Sequence, residues 1–285
     1  MNEAVKCDLL PTTRIGPLEV TRLICGGNPF SGFSHVSEEL DWEMLRYYTM
    51  PRLQETLDEC WRNGINTVVS RGDRHQMRTY LEHRERGGKL QWIVQTAPEL
   101  ADLRANIAQI ARFGAAAIYN QGSYTDNLWH KGRVDEALDL VKFIHDQGLA
   151  AGVGSHIPQV IEYVEEKAWE ADFYVCSFYN LARGYKSAPA VDRDAYAKDR
   201  FPPGDPDLMT AVMRKASKPC LGIKVLAASR KCSTPEEVKA TFKYAFGSTK
   251  PNDAIIVGVF QKYRNQVAED AAFVREILAR TAAAR

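Results

Sequence analysis

Short, almost wholly apolar runs alternate with longer amphipathic segments, and the alternation repeats eight times along the chain. The runs are residues 22–25, 65–69, 90–95, 116–119, 150–153, 173–177, 220–226 and 254–257. Apolar runs of this length read as strands covered on both faces, as in a parallel sheet. The segments between them carry the helical period. Residues 51–63 place Leu53, Leu57 and Cys60 on one face and stop at Gly64. Residues 134–147 gather Ala137, Leu138, Val141 and Ile144 and stop at Gly148. Residues 235–246 follow Ser233 and Thr234, open with Pro235 and Glu236, and end before Gly247, which is good start and stop chemistry. Eight such units in about 260 residues predict an α/β fold of the (β/α)8 TIM-barrel type. A doubly wound open sheet is the runner-up, but no GxGxxG follows an early strand. The opening PTTRIGPLEVT predicts a hairpin capping the barrel bottom. No interdomain linker stands out, so residues 1–285 read as one domain with a frayed Ala/Arg tail over 279–285.

Composition narrows the function classes. Of the 285 residues 45% are hydrophobic and 26% charged, and 37 basic against 36 acidic side chains leave a net charge of +1. That balance offers no electrostatic reason to expect nucleic acid or an anionic membrane as partner, and no apolar run is long enough for a spanning helix. A small-molecule substrate is the expectation. Six scattered cysteines without a CxxC, and an N-terminus without a basic-then-apolar leader pattern, point to the reducing cytoplasm.

Two connections exceed what the fold needs. Residues 28–50 carry Phe30, Phe33, Trp42, Tyr47 and Tyr48; residues 181–205 carry Tyr185, Tyr196 and Phe201. Both follow strand ends on the face where barrels keep their chemistry. Their aromatic content predicts lids or a subunit contact, so an oligomer through these loops is an expectation.

Barrel chemistry sits just past each strand. Here those positions hold acids, bases and amides, which suits a sugar-like or keto-bearing molecule. His156, in AGVGSHIP, and Lys224, in GIKVLAA, form the candidate acid–base pair. A neutral imidazole takes a proton near neutral pH, and an ammonium withdrawn from water gives one up more readily. Asn28, His35, Arg71, Asp73, His75 and Gln121 are candidate substrate contacts. His35, Asp73, His75, Glu99 and His156 also make a divalent metal conceivable, without any diagnostic spacing such as HxxxH. Ser155, Asn180, Lys262 and Arg264 are candidate contacts to a nicotinamide dinucleotide, NAD(P), or to a phosphate. His83, His130 and His145 read as structural or surface residues.

Several segments match a known family. TRIGPLEVTRLICGGNPF resembles the opening hairpin and first strand of the aldo-keto reductase superfamily, and GINTVV its second strand. GLAAGVGSH, DFYVCSFYNL and VGVFQKYRNQVAEDA resemble its fifth, sixth and eighth strands. The resemblance spans most of the chain and implies the barrel. That family's Asp, Tyr, Lys and His tetrad does not carry over. Its Asp position falls on Val69, its Tyr position near Arg74 and His75, its Lys position on Thr96, and its His position on Asn120 or Gln121. The family's Arg for the cofactor phosphate falls on Gln266. A closer resemblance is to a divergent group of aldo-keto reductase-like barrels, through GGNPFSGFSH, QWIVQTAPE, GVGSH and IKVLAA. It implies a fold and a general oxidoreductase label more than a reaction. Without Tyr and Lys, reductase chemistry of that family's type lacks its proton donor. Proton abstraction by an isomerase, epimerase or lyase of carbohydrate-like molecules is therefore the first expectation. A NAD(P)-dependent oxidoreductase with a rebuilt proton donor is the second, and a ligand-binding barrel without turnover the third.

Overall fold

The computed structural model describes residues 8–183 and 201–283. An antiparallel hairpin, β1 (Thr12–Ile15) and β2 (Leu18–Thr21), precedes eight parallel strands. These are β3 (Leu23–Gly26), β4 (Thr67–Arg71), β5 (Gln91–Gln95), β6 (Ala117–Asn120), β7 (Ala150–Ser155), β8 (Phe173–Ser177), β9 (Cys220–Ile223) and β10 (Ala254–Gly258). Each pairs with its sequence neighbour, and β10 pairs back onto β3, which closes the barrel. Around it run α1 (Glu38–Tyr47), α2 (Met50–Arg62), α3 (Arg74–Glu85), α4 (Leu103–Arg112), α5 (Gly122–His130), α6 (Glu136–Asp146), α7 (Pro158–Glu166), α8 (Asp205–Lys215), α9 (Pro235–Ser248) and α10 (Gln266–Ala283). The expected (β/α)8 barrel is the fold. Among the described residues no helix is long and apolar enough to cross a membrane.

Strand alternation splits the core in two. Ile24, Val69, Ile93, Ala117, Phe173, Val175, Leu221 and Ile256 fill the barrel, and Ile15 and Val20 of the hairpin plug its bottom. The opposite parity, including Val68, Trp92, Val94, Ile118, Val153 and Cys220, packs outward against Leu57, Ile110, Val141, Val160 and Phe242 of the helices. Burial on both faces explains why the strands read as continuous apolar runs. Gly64 ends α2 at φ 84°, where a Cβ would meet the Asp8 carbonyl oxygen at 2.4 Å. The sharp turn there needs glycine.

Several boundaries differ from expectation. The strand expected over 220–226 stops at Ile223, and Lys224 already has a left-handed backbone. The helix expected over 235–246 runs through Gly247 to Ser248, with Thr234 accepting from the Glu237 amide as its N-cap. Residues 279–283 of the tail continue α10. The long connection after β3 contains a short 3-10 turn and α1. Its Tyr47 and Tyr48 pack on Phe260, whereas Trp42 and Leu45 are exposed. Most of the connection after β8, with Tyr185 and Tyr196, lies outside the described residues.

Candidate active site

The C-terminal mouth of the barrel opens into one cleft with two lobes. A polar lobe of about 500 Å³ lies over β5 to β8. An apolar lobe of about 240 Å³ lies between the ends of β3, β9 and β10, lined by Leu40, Met44, Val225, Val238, Val257 and Phe260. Asn28, Phe33, His35, Arg71, Gln95, Tyr119, Ile223 and Lys224 line both, so they form the divide.

His156 follows β7 and lines the polar lobe. Its Nδ1 lies 2.7 Å from Asp126 Oδ2, and its backbone amide donates to the same carboxylate at 3.2 Å. Ser155 Oγ, on the outward parity of β7, donates to Asp126 Oδ1 at 2.5 Å. Asp126 is buried in α5, and its two oxygens already accept from Ser155 Oγ and the His156 amide, so the ring meets it with Nδ1–H. Nε2 then carries the lone pair, which is the form a general base needs. Gly122, the first residue of α5, makes room for the ring: a Cβ there would stand 3.1 Å from His156 Cε1.

Lys224 reaches the same cleft by a different route. Its parity on β9 matches outward-facing Cys220, so a continued strand would aim it at the helices. The strand ends one residue earlier, and the left-handed turn at Lys224 (φ 59°) delivers the side chain to the divide. Its Nζ lies 3.4 Å from His35 Nε2. Arg71, also inward, pairs with Asp73 at 3.2 Å and with Glu99, and its guanidinium lies 5.5 Å from the Phe33 ring centroid. Gln121 caps α5, accepting from the Tyr124 amide at 2.9 Å, and lines the polar lobe.

Of the expected site residues, the cleft gathers His156, Lys224, Asn28, His35, Arg71, Gln121, Ser155 and Arg264. Asp73 is instead the N-cap of α3, accepting from the Gln76 amide at 3.0 Å, and holds Arg71. His75 is exposed on α3, with Nε2 3.4 Å from the Phe30 carbonyl, and lines neither lobe. The candidate metal ligands therefore do not converge. Among the described residues no group of three His, Cys, Asp or Glu side chains is placed to hold a metal ion. Nor do the four candidate cofactor contacts form one set. Ser155 is bound to Asp126, and Asn180 lines a neighbouring pocket with Arg183 and Asp205, which shares only His156 with the polar lobe. Lys262 pairs with Glu43 at 2.5 Å outside the cleft. Arg264 lines the apolar lobe but pairs with Glu269 at 3.3 Å. Gln266 is occupied as well, accepting from the Phe260 amide at 2.6 Å.

Other residues in or behind the cleft escaped sequence reading. Asp126 lies thirty residues before its histidine, in a helix without a motif. Its one signal is an acid one helical turn after Gly122, on the face that Gly122 leaves open. Arg230 lines neither lobe but stands behind the divide, donating to the His35 carbonyl at 3.1 Å and stacking 4.1 Å from the Phe201 ring centroid. His130, read as a structural or surface residue, lines the polar lobe. Asp270 lines the apolar lobe, and burial pushes its carboxyl up to about 8, with Glu269 adding and Arg264 opposing.

No family model matches the chain, and a search of the curated proteins finds no match. Solved structures do share its fold. The holo form of the aldo-keto reductase AKR11C1 from Bacillus halodurans superposes with a TM-score of 0.57 at 11% identity, over 95% of this chain and 96% of that one. The thermostable aldo-keto reductase Tm1743 gives 0.54 at 12% identity, over 94% and 100%. A truncated 3-deoxy-D-arabino-heptulosonate 7-phosphate synthase from Thermotoga maritima gives 0.53 at 12% identity, over 97% and 92%. At such identities the likeness is one of fold.

Proposed function

We propose that this protein is a barrel enzyme that moves a proton on a small sugar-like or keto-bearing molecule, as an isomerase, epimerase or lyase. The observation that carries the reading is the buried Asp126 carboxylate bound to His156, in one lobe with Lys224. His156 Nε2 takes a proton from carbon beside a carbonyl. Asp126 steadies the imidazolium that forms, and Lys224 supports the charge gathering on the carbonyl oxygen. Arg71, Asn28 and Gln121 orient hydroxyl groups. The lobe's size suits a small polyhydroxylated ligand.

The test incubates the full chain with a panel of ketoses and hydroxy ketones in D2O and follows exchange of carbon-bound protons by NMR. Exchange on at least one compound is expected, and His156→Ala should slow it about 10²–10⁴-fold. No exchange on any compound, or undiminished exchange in the variant, rejects the reading.

The apolar lobe beside Arg264 supports a second reading, a NAD(P)-dependent oxidoreductase. The aldo-keto reductases that share the fold lean the same way. It predicts quenching of tryptophan fluorescence by NADPH, and a flat titration rejects it. Ligand-induced thermal stabilisation with no exchange would point to capture without turnover.

A further inference from the structure

Two non-glycine residues with left-handed backbone meet side chain to side chain at the divide of the cleft. His35 has φ 56° and Lys224 has φ 59°, and Lys224 Nζ lies 3.4 Å from His35 Nε2. Such backbone is costly for a residue with a Cβ, and it persists where surrounding contacts impose it. Arg230 braces the two loops. It donates to the carbonyls of His35 and Ala228, both at 3.1 Å, and so ties the loop after β3 to the loop after β9. Ala227, Ala228 and Ser229 are left-handed too. The two loops thus bring an amine against an imidazole at the divide of the cleft. An imidazole with its lone pair toward an ammonium is placed to take a proton from it.

We infer that Lys224 is a nucleophile that joins a carbonyl-bearing ligand as an imine, with His35 as the base that frees its amine. The inference rests on the proton-transfer reading and changes one part of it: Lys224 takes up the electrons as a covalent iminium in place of supporting charge on the carbonyl oxygen. Lys224 passes a proton to His35 Nε2, and the amine lone pair attacks the carbonyl carbon. The new C–N bond forms as the C=O π pair moves to oxygen. Nitrogen loses a proton and oxygen gains one, giving a neutral carbinolamine. The imidazolium of His35 returns its proton to that hydroxyl, the C–O bond breaks and water leaves. The nitrogen lone pair closes the C=N bond. One ammonium and one carbonyl become one iminium and one water, with no oxidant or reductant. The iminium draws electrons from the neighbouring C–H bond, whose proton His156 then removes.

The test treats the folded full chain with glycolaldehyde, the smallest hydroxy aldehyde, and sodium cyanoborohydride, which reduces imines to stable amines. Mass spectrometry of tryptic peptides follows each lysine with time. Lys224 should label at least about tenfold faster than the median lysine, the gain that one unit of easier deprotonation gives an amine. His35→Gln should return Lys224 to the median with an unchanged circular dichroism spectrum. Labelling of Lys224 at or below the median in the wild-type chain overturns the inference, and so does fast labelling retained in folded His35→Gln. The wild-type rate decides alone where that variant does not fold. Proton exchange is read separately. Exchange without fast labelling removes the imine and leaves the proton transfer; fast labelling without exchange removes the proton transfer and leaves the nucleophile.

Discussion

Gly122 shows how narrowly the position of His156 is set. A methyl group there would press on His156 Cε1 and Nδ1 from 3.1 and 3.2 Å, while Asp126, one turn further along α5, holds Nδ1 at 2.7 Å. The ring is fixed by that bond and has little room to give. At the first residue of a helix alanine gains less over glycine than the about 1 kcal/mol of a helix interior, and crowding in a packed site costs about 1–3 kcal/mol. Crowding wins, so Gly122→Ala should lower a urea midpoint by the equivalent of about 1–2 kcal/mol. The chemistry is less forgiving, since misplacing a catalytic group by about 1 Å can cost about a hundredfold. A displacement of a few tenths should slow proton exchange about tenfold. An unchanged exchange rate in a folded variant would mean that the imidazole is not held to a fixed position. None of this was legible beforehand: His156 stood out in the sequence, but Asp126 and Gly122 acquire their roles only when α5 folds over the end of β7.

Helices and strands were readable wherever burial alone dictated them. All eight barrel strands were anticipated because each is apolar on both faces, and Thr234, Pro235 and Glu236 announced the start of α9. The end of β9 was not. Through IKVLAA the apolar pattern continues, and nothing in Lys224, Ala227 or Ala228 announces a positive φ. Arg230 bonds the Ala227 and Ala228 carbonyls within that loop and the His35 carbonyl across the cleft, contacts that no local pattern announces. Asp270, in the first turns of α10, was equally hidden. It is 6% exposed, and burial raises its carboxyl to about 8, against about 4 for a carboxylate in an unfolded chain. Between those two values the folded chain keeps a proton that the unfolded chain has lost. Stability therefore falls as pH rises from about 4 to about 8 and levels off above. Asp270→Asn removes that slope. Its advantage over the wild type should grow by up to several kcal/mol between about pH 5 and about pH 9, at about 1.4 kcal/mol per unit. Urea midpoints across that range measure it. A constant difference would mean that Asp270 is ionised throughout.

At the scale of the whole molecule the barrel divides its work between two ends. The bottom is built for closure. Ile15 and Val20 are fully buried against the interior strand residues, and Arg22 Nε donates to the Asp253 carbonyl at 2.8 Å where β10 meets β3. The top carries the candidate site, with left-handed residues, a buried carboxylate and a two-lobed cleft. The packed interior layers between them separate the two tasks, so a defect in the plug should not reach the cleft. Ile15→Ala removes buried side-chain volume that the closed cylinder cannot readily refill, at a cost of about 2–5 kcal/mol. A urea titration should show that loss as a lower midpoint with an unchanged slope. Proton exchange and the labelling rate of Lys224 should stay within about twofold of wild type under conditions where the variant is folded, because sites far apart with no shared partners act independently. A fall in both rates at full folding would mean that the interior transmits strain from plug to mouth, and that the hairpin belongs to the catalytic apparatus as well as to the fold.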